Sequence, residues 1–72
     1  MARKTRVTNS VKALRFNADQ MTQADLAAKC DVTRQTIIAI EQGRFTPSLE
    51  TAFKIARTFN VPLDEVFEYH EV

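Results

Sequence analysis

With 72 residues, one glycine and two prolines, the chain has room for one small domain and no flexible linker, so a single domain over residues 1–72 is expected. One cysteine excludes an internal disulfide, no Cys/His cluster has metal spacing, and no apolar run approaches the ~20 residues that would span a bilayer. The net charge of +1 says little about partners, but its placement says more. Residues 1–16 carry Arg3, Lys4, Arg6, Lys12 and Arg15 with no acid, whereas residues 48–72 set Lys54 and Arg57 against Glu50, Asp64, Glu65, Glu68 and Glu71. A basic end suits phosphates and an acidic end should sit away from them; a solvated N-terminal segment over residues 1–9 is the other reading. Cys30 reads as a small buried hydrophobe rather than a reactive thiol. A lone free thiol and a basic N-terminus without a following apolar stretch point to a cytoplasmic protein.

Five helical segments follow in order. The first begins near Asn9 or Ser10, either a good cap, turns Val11 and Leu14 inward and ends by Asn17. After a loop, Thr22 caps the second helix with Asp25 three residues on, an approximate capping box, and Leu26, Ala27 and Cys30 form its apolar face. Asp31 and Val32 make a tight turn. Thr33 caps a third helix that runs to Gln42, with Gly43 as a left-handed stop. Ser48 caps a fourth helix whose inner face is Leu49, Ala52, Phe53, Ala56 and Phe59 or Val61. Pro62 opens a short fifth helix with Leu63, Val66 and Phe67 inward. Arg6-Val7-Thr8 and the alternating Phe67 to Glu71 segment either pair as two short antiparallel strands or stay irregular, residues 68–72 then being a tail.

The third helix is the most informative element. At about 100° per residue from Gln35, Ile37 falls near 200° and Ile40 near 140°, which sets the inward face. Gln35, Ile38, Ala39 and Gln42 lie opposite, with Arg34 and Thr36 on the flanks. Gln35 has the geometry to pair with adenine N6 and N7, and Arg34 with guanine O6 and N7 or with a phosphate. Ile38 breaks the polar pattern: it either packs against a neighbour or touches a thymine methyl, and Ala39 is small enough to let the helix sit deep. Gln23, Thr33, Gln42 and Arg44 are placed to grip phosphates, which fixes register without reading sequence.

Taken together, TQ-x-x-L-A, V-T-R-Q-T-I, I-E-x-G and P-S-L-x-x-A resemble the Cro and phage-repressor helix-turn-helix family, also called the xenobiotic-response-element type, over about residues 10–67. The resemblance implies an all-α, compact five-helix, lambda-repressor-like domain that binds operator DNA, usually as a dimer. It places Gln23 and Thr33 at phosphate or framework contacts, and Arg34, Gln35, Thr36 and Ala39 where the family reads bases. It also implies that Arg15 and Glu41 tie the first helix to the third, which makes Arg15 structural. Two departures stand out. Asp31 replaces the usual turn glycine, and the loop between the first two helices is about one residue longer and has no glycine, with Phe16 expected to pack there.

The expected function is therefore sequence-specific transcriptional regulation, as a repressor, by a homodimer bound to double-stranded DNA and nucleoid-associated when bound. One recognition helix makes few base contacts, and a two-fold dimer places two of them about 34 Å apart on one face of the duplex. Leu63, Val66, Phe67, Tyr69 and Val72 exceed what a small last helix buries internally and are expected at the dimer interface. The alternative is an antitoxin or partner-binding adaptor of the same fold. An enzyme is not expected, because His70 stands alone near the end and no carboxylate pair or nucleophile constellation accompanies it. No cofactor, small-molecule ligand or membrane association is anticipated.

Overall fold

A computed structural model describes residues 6–71; the expectations placed on Arg3, Lys4 and Val72 lie outside the described residues. The element order is β1 (Val7–Asn9), α1 (Val11–Asn17), α2 (Gln23–Cys30), α3 (Arg34–Glu41), α4 (Leu49–Phe59), α5 (Leu63–Val66) and β2 (Phe67–Tyr69). The five helices and their order follow the expected domain.

Helices α2, α3 and α4 start on side-chain caps. Thr22 accepts from the Asp25 N–H at 3.0 Å, and its own N–H donates to the Asp25 carboxylate at 3.3 Å, so the capping box is complete. Thr33 caps α3 by accepting from the Thr36 N–H, and Ser48 caps α4 by accepting from the Thr51 N–H, both at 3.2 Å. At α1 the capping oxygen is that of Asn9, which accepts from the Val11 N–H at 3.1 Å; Ser10 makes no side-chain cap.

The ends of α2, α3 and α4 share one device. Asp31, Gly43 and Asn60 take φ of 60°, 74° and 57°. After each, two backbone N–H groups turn back to the last turn: Val32 to Ala27 and Asp31 to Ala28; Arg44 to Ala39 and Gly43 to Ile40; Val61 to Ala56 and Asn60 to Arg57. This is the left-handed helix stop that satisfies otherwise orphaned carbonyls. Val32 and Val61, just beyond two of the stops, pack on the core and fix the direction in which the chain leaves. Asp31 thus adopts the conformation for which glycine is usual, and Asp tolerates it better than most residues.

Val11, Leu26, Ala27, Cys30, Ile37, Ile40, Ile55, Ala56 and Val66 form the buried core, with Leu14, Met21, Phe59, Leu63 and Phe67 packed around it. Helix α4 differs from the expected inner face. Its buried residues are Ala52, Ile55 and Ala56, while Leu49 is 67% and Phe53 is 49% exposed. The apolar stripe is centred on the line through Ala52, Ile55, Ala56 and Phe59; Phe53 lies about 100° round from Ala52, on the outer side, and Leu49 sits in the first turn.

The two terminal segments do pair. β1 and β2 are antiparallel, with Val7 opposite Tyr69, Thr8 opposite Glu68 and Asn9 opposite Phe67. The first strand begins one residue later than Arg6, whose carbonyl still accepts from the His70 N–H at 2.9 Å. So short a pair needs support. The Ser10 N–H donates to the Val66 carbonyl at 2.9 Å, and Phe67 packs against the core. Among the described residues no helix is long and apolar enough to cross a membrane.

Candidate nucleic-acid interface

Helix α3 is held at both ends and along its inner side. Ile37 and Ile40 are buried in the core. At its C-terminal end the Asn9 amide donates to the Ile40 carbonyl at 2.9 Å, so the residue that starts α1 also anchors α3. Between these points lies an ion pair. Arg15 Nε donates to Glu41 Oε2 at 2.6 Å, Arg15 Nη2 to Glu41 Oε1 at 3.0 Å, and Arg15 Nη1 to the Met21 carbonyl at 2.9 Å. Both side chains are buried, at 10% and 7% exposure. A bidentate guanidinium–carboxylate pair fixes orientation as well as distance, so α1, the start of α2 and α3 are locked as one body.

The loop before α2 shows what that lock contends with. Asp19 and Gln20 both take left-handed conformations, with φ of 59° and 56°. Consecutive left-handed non-glycine residues are strained. The loop is closed by Arg15 from two directions: its carbonyl accepts from the Met21 N–H at 2.9 Å while its guanidinium holds the Met21 carbonyl. The loop thus carries its backbone strain at Asp19 and Gln20, and Phe16 is 56% exposed beside the Arg15 guanidinium instead of packing inward.

The outward side of α3 presents Arg34 and Gln35, both exposed, then Ile38 and Ala39, both half-buried, with exposed Gln42 just past its end. Thr36 is half-buried, and its hydroxyl lies 3.0 Å from that of Thr33. Eight residues make a rod about 12 Å long, comparable to the width of a major groove. The one acid of α3, Glu41, is neutralised by Arg15, so the face is left with the charge of Arg34.

The residues expected to grip phosphates already have partners. Gln23 donates its amide to Glu41 Oε1 at 3.1 Å, which makes it part of the buried network. The Thr33 hydroxyl serves as the cap of α3. Arg44 Nε donates to Gln42 Oε1 at 2.8 Å, which draws these two side chains together past the end of α3. Thr22, Gln23 and Arg34 meet at the rim of a shallow depression of about 440 Å³, with Arg15 and Phe16 among its other lining residues. Sequence reasoning did not find Asn9 as an anchor of α3, because that bond joins residues 31 apart.

On the side of β1 and β2, Leu63 and Phe67 are half-buried and Tyr69 is 63% exposed. They line an apolar groove of about 330 Å³ together with Val7. Val66 departs from its expected place at a subunit surface: it is 1% exposed and faces the core of its own chain. Cys30 is buried, its sulfur 3.7 Å from the Thr58 hydroxyl, and burial pushes its thiol pKa up. His70 is exposed, with Nε2 2.7 Å from the Thr8 hydroxyl. Among the described residues no group of His, Cys, Asp and Glu could hold a metal ion.

Comparisons agree with this geometry. The sequence model of the helix-turn-helix family matches residues 12–66. The chain is 55% identical over 51 residues to an uncharacterised HTH-type transcriptional regulator of Methanocaldococcus jannaschii, covering 71% of this chain and 77% of that protein. It is 41% identical over 63 residues to a Bacillus subtilis protein of the same description, covering 88% and 94%. The crystal structure of a candidate DNA-binding protein from Bacteroides fragilis superposes with a TM-score of 0.74 at 24% identity, over 86% of this chain and 98% of that one, which shows the shared fold. The chain belongs to the helix-turn-helix family of the Cro/C1 type.

Proposed function

We propose that this protein is a sequence-specific DNA-binding transcriptional regulator that inserts α3 into the major groove. The observation that carries this reading is the sidedness of α3: Ile37 and Ile40 are buried while Arg34 and Gln35 stand exposed in the first turn. The relatives described as transcriptional regulators support it. Gln35 and Arg34 are the base-reading residues, with Thr36, Ile38 and Ala39 filling the groove surface between them. Gln42 and Arg44, drawn together beyond α3, take one backbone strand. Gln23 and Thr33 take the other through the N–H groups at the starts of α2 and α3, because their side chains are committed to Glu41 and to the cap.

The protein acts as a homodimer on a two-fold operator, and occupancy of that operator represses. Leu63, Phe67 and Tyr69 form the partner-facing surface next to β2. Asp64 and Glu68 flank this surface, and the pairing of β1 with β2 sets the acidic C-terminal segment beside the N-terminal one rather than apart from it. A random-library binding selection is the test. Wild type should return a motif with two-fold symmetry, and Gln35→Ala should lose preference at one base pair per half-site, worth about 1–3 kcal/mol. An unchanged motif for Gln35→Ala removes that residue from base reading, and a monomer on and off DNA in ultracentrifugation removes the dimer.

A further inference from the structure

A second surface is built on α2 and α4 from residues not assigned to DNA, and one of them, Leu49, also lines a smaller pocket with Leu63 and Phe67. The last turn of α2 and the outer face of α4 border an open, shallow groove of about 880 Å³. Its apolar floor is Leu49 and Phe53, one helical turn apart and both substantially exposed. Its rim carries Lys29, Lys54 and Arg57 against the single acid Glu50, which lies 3.7 Å from Lys54. None of the lining residues belongs to α3 or to the loop that follows it.

We propose that this groove is a docking site for an acidic amphipathic helix of a partner protein. Two large apolar side chains at i and i+4 match an incoming helix that offers apolar residues at i, i+3 or i+4, and i+7. A rim of three cations with one acid, already faced by a lysine, is complementary to acids on the flanks of such a helix. A second copy of this chain fits poorly. A two-fold contact of this face with itself would set the cations Lys29, Lys54 and Arg57 of one copy against the same group of cations on the other. Phosphate satisfies the rim but leaves Leu49 and Phe53 unpaired. Because the groove excludes α3, the partner helix binds whether or not DNA is present.

The test uses the full chain and an amidated, fluorescent peptide of about 15 residues, long enough to be helical. It carries Leu and Phe one turn apart on one face and Glu on the flanks. A scrambled peptide of equal composition and a peptide with Lys in place of Glu are the comparators. Saturable binding is expected for the acidic amphipathic peptide alone, with amide shifts centred on Lys29, Phe53 and Arg57. Phe53→Ala and Arg57→Glu should each weaken it at least about tenfold, as loss of an interface anchor does. Lys29→Glu, on the other helix, should act in the same direction. All three side chains lie at the surface, and circular dichroism checks that the variants fold. The proposal is overturned if the scrambled or basic peptide binds equally, if no binding saturates, or if the shifts fall elsewhere. It is equally overturned if Phe53→Ala moves a monomer–dimer equilibrium, which makes a second copy the occupant, or if saturating DNA displaces the peptide.

Discussion

Removing Arg15 is the sharpest perturbation of how the interface is held. Its guanidinium makes three hydrogen bonds, two to Glu41 and one to the Met21 carbonyl. In Arg15→Met the Glu41 carboxylate, 7% exposed, keeps only the Gln23 amide at 3.1 Å. Breaking one side of a buried ion pair costs about 3–5 kcal/mol, mainly because the remaining charge is left uncompensated. A domain of this size has a total stability of about 4–11 kcal/mol, so the variant retains a fraction of it. Its melting temperature should fall by roughly 15–30 °C. The strained Asp19–Gln20 loop loses its clamp at the same time. Glu41→Leu alone should cost a similar amount, since it strands the guanidinium. The double variant Arg15→Met with Glu41→Leu should cost far less than the two together, because no buried charge remains. Urea unfolding followed by circular dichroism gives all four corners of the cycle, and a coupling of at least about 2 kcal/mol is expected. Additivity within about 0.5 kcal/mol would show that the pair is not energetically coupled, and the account of α3 as a clamped helix would fall.

Asp31→Gly should raise stability by on the order of 1 kcal/mol, seen as a melting temperature a few degrees higher, because the left-handed stop loses its steric cost. A lower melting temperature would mean that the Asp31 side chain contributes something its backbone conformation does not show. Cys30 should react with a thiol reagent slowly in the folded chain and fast in denaturant. Burial raises its pKa in the folded state, so its contribution to stability is full below the unfolded value of about 9.0 and is lost as pH rises beyond it. The Cys30→Ala variant should lack that part of the alkaline decline, and an identical decline would assign it to other groups. Arg44→Ala should weaken binding uniformly across DNA sequences and lower the salt dependence by about one phosphate contact, whereas Arg34→Ala should also change the preferred base. The same selection and a salt titration separate the two, and a changed motif for Arg44→Ala would move that residue into the base-reading set.

Much of the site was legible in the sequence because it depends on neighbours in the chain. Thr22, Thr33 and Ser48 announce helix starts through bonds that reach three residues, and Gly43 announces a stop through its own conformation. The spacing of Ile37 and Ile40 fixes which side of α3 faces out. Asp31 was readable only against the family resemblance, since its side chain alone does not require a left-handed backbone. Leu49 and Phe53 were misread because apolar spacing on α4 admits a stripe wider than the neighbouring helices can cover; packing chose Ile55 in their place. Periodicity placed Val66 inward correctly; its assignment to a subunit surface was the misreading, because the core of its own chain takes the whole side chain.

The sequence by itself determined where the helices begin and end and which face of α3 turns outward, because capping and periodicity act within one turn of chain. Only the tertiary structure decided how α3 is held. Beyond the Arg15–Glu41 tie that the family resemblance implied, Asn9 reaches Ile40, Arg15 also reaches Met21, Gln23 joins the Glu41 carboxylate, and β1 meets β2 across nearly the whole chain. Those bonds join residues distant in sequence, and their partners are brought together by burial of the shared core rather than by any local preference.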